Sequence, residues 1–249
     1  MRPNILNPLF ASVTSLPGIG QRLAQLVEKL AGPLVIDVAG HLPSGLIDRR
    51  NQPHLSTAEG GAIATIIVRV DRHMKSHNPR QPYKVRCSDS TGFIDLVFFN
   101  AREDYLLKTL PLGQTRAVSG RIERFGGELN MVHPDHIVPE EELASVQIVE
   151  PVYPMTAGLP PKVLRKAIEA ALERSPKLPE WIDPAILTQR QWDGWVEALR
   201  AAHHPQGEGE LSTLSPPRMR LAYDELLSNQ LALAIVRSRN WWKSWPGRS

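Results

Sequence analysis

The stretch Phe93-Ile94-Asp95-Leu96-Val97-Phe98-Phe99 is the most β-prone of the chain. Ile94, Leu96 and Phe98 fall on one face of such a strand, and Phe93, Asp95, Val97 and Phe99 on the other. Asp95 predicts that its own face meets water, which would expose Phe93 or Phe99 as a flat ring surface. The periodicity favours Phe98 in a core and leaves Phe99 open between core and surface. Upstream, Gly60-Gly61 opens a run in which Ala62, Ala64, Ile66, Val68 and Val70 alternate with other residues. A polar loop, Arg72 to Pro82, leads to a second strand, Tyr83 to Cys87, and a turn over Ser88-Asp89-Ser90-Thr91-Gly92. Downstream come a short helix from Ala101 to Leu110, stopped by Pro111, and a fourth strand from Arg116 to Phe125. A Gly126-Gly127 hairpin then turns into a fifth strand, Leu129 to His133.

Five short strands with a helix between the third and fourth follow the order of an OB-fold barrel, although another small barrel would also have five strands. Helical segments flank this region. Leu16-Pro17-Gly18-Ile19-Gly20 is a tight turn before an apolar stripe at Leu23, Leu26, Val27 and Leu30, and a second short helix is read over Leu34 to His41. Pro160-Pro161 opens a helix whose apolar face is Val163, Leu164, Ala167, Ile168, Ala171 and Leu172. Trp192, Trp195, Val196 and Leu199 mark another, with the tryptophans as core. Pro205 to Pro217 reads as a linker, and the last helix, Arg218 to about Arg239, is apolar almost all round between Leu226 and Val236, so it wants cover on more than one side. The expected organisation is α+β. Residues 1–55 are a helical segment with a helix-hairpin-helix-like turn, 56–145 the five-stranded OB-fold β-barrel, 146–215 a helical segment and 216–249 a linker helix.

Composition removes several function classes. Of 249 residues, 42% are apolar and 22 are proline, which suits many short elements. The longest apolar run, Leu231 to Val236, is too short to cross a membrane, and no secretory signal is read at the N-terminus. One cysteine, Cys87, excludes an internal disulfide and fits a reducing cytoplasm. No Gly-Lys pair is present, so there is no phosphate-cradling P-loop, and no nucleophile elbow or zinc-protease helix occurs. His73 with His77, and His203 with His204, read as ordinary histidines rather than metal ligands. Glu140-Glu141-Glu142 suits a first helical turn. No catalytic centre is expected.

The formal charge of +3 is small, but its distribution is not. Between residues 69 and 86, Arg69, Arg72, Lys75, Arg80, Lys84 and Arg86 face only Asp71, a net of five positive charges in one hairpin. A phosphate-contacting role is the sharper reading, a solvated loop the plainer one. Arg121 and Arg124 are expected to extend the same surface. Gly18 and Gly20 allow backbone to approach a phosphate at a helix start, as in helix-hairpin-helix modules, or simply make a turn with positive φ.

Seven stretches, in order, resemble the N-terminal region of the RecG family of bacterial ATP-dependent branched-DNA helicases. They are Leu16-Pro17-Gly18-Ile19-Gly20, His41-Leu42-Pro43 with Asp48-Arg49-Arg50, Phe98-Phe99-Asn100, Met131-Val132-His133-Pro134, Pro151-Val152-Tyr153-Pro154, Leu164-Arg165-Lys166, and Ala222-Tyr223-Asp224-Glu225-Leu226-Leu227. The resemblance implies a wedge domain that grips the branch point of a stalled replication fork or Holliday junction. Phe98, Phe99 and Asn100 would cap or stack on junction bases, with Tyr105 a further candidate. It implies branched or forked DNA as partner, a monomeric protein in the cytoplasm, and roles in DNA repair and recombination. No cofactor is implied for this chain, while ATP and Mg belong to two motor domains of the full-length family member, against which the last helix would pack. Two segments depart from the family: the loop from Arg72 to Pro82, and Trp241 to Ser249. The competing reading is an OB-fold protein-interaction module that docks a partner through its apolar C-terminal helix.

Overall fold

The computed structural model describes residues 3–75 and 81–243. Arg80, His77 and the end of the tail, 244–249, lie outside the described residues. The chain forms two compact units, residues 47–150 and residues 1–46 with 151–249.

In the second of these, Gly18 takes φ +78 and lets the chain turn from a short 3-10 turn, Val13–Ser15, into helix α1 (Gln21–Leu30). Helix α2 (Val35–Ala39) opens where the Asp37 carboxylate accepts the Leu34 N–H at 2.9 Å. Val27, Val35 and Val38 are fully buried there beside Leu164 and Ile168. Strand β1 (Gly45–Asp48) follows and pairs with β8 (Val149–Val152) in a separate two-stranded sheet.

The barrel unit is built from β2 (Ile63–Met74), β3 (Tyr83–Ser88), β4 (Phe93–Phe98), helix α3 (Glu103–Thr109), β5 (Thr115–Phe125) and β6 (Glu128–Val132), with β7 (His136–Pro139) added beside β5. Strand order is β2-β3-β4-β6-β5, and β5 returns to β2 to close the barrel. Only the β4–β6 pair is parallel among the five. Strand β2 serves both halves because it bends at a bulge between Val70 and Arg72. Its first part pairs with β5, its last with β3. The strand therefore runs to Met74, into what the sequence reads as loop.

Alternation fills the interior with Ile66, Val68, Val85, Ile94, Leu96, Ile122 and Met131, and α3 plugs it with Leu106. Gly120 is required at closure: a Cβ there would lie 2.9 Å from the Met131 sulfur. Beside the barrel, Arg49 is almost wholly buried, and its guanidinium bonds Glu150 at 2.7 Å, Asp135 at 3.0 Å and Ser119 at 3.3 Å. A buried charge is tolerable only with such partners. The match at Asp48-Arg49-Arg50 thus has a structural reason in this chain. Cys87 lies inside the barrel, and burial pushes its thiol up to about 12.

Helices α4 (Pro161–Glu173), α5 (Pro184–Arg190), α6 (Trp195–His203) and α7 (Pro216–Lys243) complete the chain. The helix read from Trp192 begins at Trp195. Gln191, at φ +54, ends α5, and the chain restarts only at Gly194. The expected linker, Pro205 to Pro217, contains a 3-10 turn over Glu208–Leu211 and the first turn of α7. Arg220 anchors α7: it is fully buried, bonded by Glu180 and Asp224, and stacked 5.2 Å from the Trp181 ring. Beyond it Leu226, Leu231, Leu233, Ile235 and Val236 are all exposed. Among the described residues, no helix is long and apolar enough to cross a membrane.

Candidate nucleic-acid interface

Strand β4 ends in a fixed aromatic corner. Phe98 is 7% exposed and part of the barrel core, so its ring is not presented to a ligand, in line with the alternation and against a stacking role for that side chain. Phe99 follows outside the core and is 48% exposed. Its N–H donates to His133 Nε2 at 3.1 Å, and the two rings lie 5.8 Å apart at 39°. Nε2 is the acceptor in this bond. The His133 ring also meets the edge of Phe98 at 6.1 Å. His133 N–H donates to Val97 O at 2.9 Å, which ties this residue to the end of β4. Among the described residues, three non-glycines have positive φ, and two, Asn100 at φ 56 and His133 at φ 46, belong to this corner. Such backbone costs on the order of 1–3 kcal/mol and persists where surrounding bonds hold it. Asn100 is exposed, and its conformation turns the chain away from β4 and leaves Phe99 at the rim. His133 carries no functional signal of its own in the sequence. Its partner is 34 residues away, so no local pattern marks it.

The cations divide into two sets. Asp95 is 2% exposed, not solvent-facing as the alternation predicted. It lies opposite Arg86 across the β3–β4 pair, and Arg86 grips it at 2.7 and 3.1 Å while Lys84 reaches it at 3.4 Å. Burial pushes the Asp95 carboxyl up, but the Arg86 bonds and the charges of Arg86 and Lys84 prevail and hold it below the usual carboxylate range. Arg86 also meets Glu128 at 3.3 Å. Lys75 is in close ion contact with Glu103. Lys84, Arg86 and Lys75 are therefore partly neutralised by carboxylates contributed from outside the hairpin. Arg69 and Arg72 are exposed, and among the described residues neither side chain has a hydrogen bond or ion pair.

Arg121 and Arg124 do not extend this surface. Arg121 pairs with Ile63 at the start of β2, nine residues and about 30 Å along the strand from Arg72. Its guanidinium donates to Gly61 O at 2.6 Å, and that of Arg124 donates to Ala58 O at 3.2 Å. Gly18 and Gly20 fit a plain helix-start turn. Gly20 is the extended cap of α1, and the element before the turn is a single 3-10 turn rather than a helix. Tyr105 is exposed on α3. His73 bonds Tyr83 and Leu110 O. His203 is buried between Tyr153 and Ala39 O, and burial drives it down to about 4, whereas His204 pairs with Glu169.

A closed five-stranded barrel in this order, with a helix between its third and fourth strands and a ring at its rim, defines an OB-fold module. The family model for the RecG wedge domain matches residues 13–174, and the chain belongs to that family. An ATP-dependent DNA helicase RecG from Acidithiobacillus ferridurans is 29% identical over 248 residues, covering 96% of this chain and 34% of its own length. The Escherichia coli K12 protein of the same name is 28% identical over 91% of this chain and 33% of its own. The chain thus spans about a third of the length of these relatives. The solved structure of RecG bound to a three-way DNA junction aligns over 96% of this chain with a TM-score of 0.73 at 23% identity, a likeness of fold.

Proposed function

We propose that this chain is the branched-DNA-binding wedge region of a RecG-type helicase, acting in the cytoplasm as a monomer at stalled forks and Holliday junctions during repair and recombination. The observation that carries the reading is the Phe99 corner, a half-exposed ring on a braced backbone at the rim of an OB-fold. An unpaired base at a branch can stack on such a ring, whereas bases inside a duplex cannot reach it. Arg69 and Arg72, which have no acidic partner among the described residues, supply charge for the phosphates. The chain has no phosphate-cradling Gly-Lys-Ser/Thr element, so ATP hydrolysis and its Mg ion fall to the part of the longer relatives that it does not span. The wedge holds arms apart while force comes from elsewhere.

Anisotropy titrations of a three-armed fork and a plain duplex of equal length test this. Fork binding is expected to be micromolar or weaker, severalfold tighter than duplex binding, and steeply weakened by salt. Equal affinities would remove the wedge role.

A second reading is favoured by the exposed leucines, isoleucine and valine along α7. On it, α7 docks another apolar surface, either in the remainder of the longer protein or in a partner chain. Light scattering across a concentration series tests the surface, and a monomer at all concentrations with no DNA binding would argue against both readings.

A further inference from the structure

The other end of β4 carries exposed rings that the Phe99 corner does not use. Phe93 is 65% exposed and Phe125 is 84% exposed, the latter at the mouth of the β5–β6 hairpin. Gly126 and Gly127, at φ 62 and 88, make the tight turn, and open space surrounds both of them. The register places the two rings in one row. Phe125 is opposite Glu128, and Ile94 faces Leu129, which puts Phe93 beside Glu128. Phe93 and Phe125 share the outward parity of Asp95 and Glu123, while Ile94 and Ile122 point into the core. They are two strand spacings, about 10 Å, apart on the outer face. Phe93 is also about 20 Å along β4 from Phe99.

Cations complete the row. Ser88 is the cross-strand partner of Phe93, and Arg69 is the partner of Ser88. Arg69 is exposed and has no carboxylate partner among the described residues. The one acid between the rings, Glu128, is bonded by Arg86. Two separate rings set among Ser88, Arg86 and Glu128 do not form the continuous apolar patch that a protein partner would cover. They match an unpaired strand, whose bases have apolar faces and whose backbone is anionic.

We propose that this row, Phe125 and Phe93 with Arg69, is a second stacking track for single-stranded DNA, separate from the Phe99 corner. The proposal rests on the wedge reading for its source of single strand. A strand parted at the branch would run across the outer face of β5, β6, β4, β3 and β2, which keeps it from re-pairing. Sequence preference should be slight, because any base can stack.

The test uses the whole chain with an oligo-dT single strand and a three-armed fork, each titrated against wild type, a Phe93→Ala/Phe125→Ala double variant and Phe99→Ala. Both rings are exposed, so the double variant should keep its melting temperature. Expected is a loss of about tenfold or more in oligo-dT affinity for the double variant and a much smaller loss for Phe99→Ala. The fork should rank the variants the other way. Oligo-dT binding unchanged in the folded double variant, or absent from wild type, overturns the track. Failure of the wedge reading is a different result: no preference of wild type for fork over duplex, whatever oligo-dT does.

Discussion

Lys84 and Arg86 on β3 occupy the same outer sheet face as Arg72 on β2, yet the two sets do different things. The β3 pair converges on the buried Asp95, while Arg72, like Arg69, has no acid to meet among the described residues. A cation count along one hairpin therefore overstates the charge that a phosphate would encounter. The β3 charges hold the barrel face together, and the β2 charges are available to a ligand.

The largest effect expected from this contrast is on stability. Asp95→Ala would leave Arg86 with Glu128 alone and Lys84 without an acid, both partly exposed to water, costing about 2 kcal/mol and roughly 4–8 °C in melting temperature. A variant that melts with wild type would mean that the pair contributes nothing. The same carboxyl gives a pH signature. Its folded pKa lies below the ordinary value, so its contribution is complete above the unfolded pKa and is lost as pH falls through the folded one. Wild type should lose stability from roughly pH 4 downward, and Asp95→Asn should show a flatter profile on acid titration followed by circular dichroism.

The next effect concerns the brace behind Phe99. His133→Ala removes the acceptor of the Phe99 N–H and the ring beside it. Fork affinity should fall by about fivefold while the duplex value holds, as a neutral hydrogen bond contributes on the order of 1 kcal/mol. His133→Gln, which retains an acceptor, should recover part of the loss. Equal losses on fork and duplex would make His133 a folding residue only. The smallest effect sharpens the opening contrast. Arg72→Ala should lower the slope of log affinity against log salt by about one, and Lys84→Ala should leave it nearly unchanged. Similar changes for both would erase the distinction between the two sets.

Much of the barrel is legible in the sequence alone. Each of the five strands was placed to within about two residues at most of its ends, since alternation and glycine turns are local signals, apart from β2, which runs on through its bulge to Met74. The core position of Phe98 followed from the same alternation. Asp95 was misread because burial of an acid depends on who stands across the strand, and register is not local. Arg121 and Arg124 failed for the same cause: adjacency to Ile63 and the 58–61 loop appears only once β5 closes on β2. Phe125 had a usable signal, an aromatic directly before Gly126-Gly127, where a hairpin tip is too far from the interior to bury a ring. His133 had only its place in the Met131-Val132-His133-Pro134 stretch. Nothing in that stretch tells that its imidazole serves a strand end elsewhere.

The central claim is that the Phe99 ring stacks on an unpaired base at a branch. Aminopurine placed at the branch position of a three-armed fork reports this directly, because its fluorescence is quenched when it is stacked. Binding of wild type should leave the probe quenched, and saturating Phe99→Ala should leave it bright on the same fork. An identical signal from the two proteins at saturation would contradict the account.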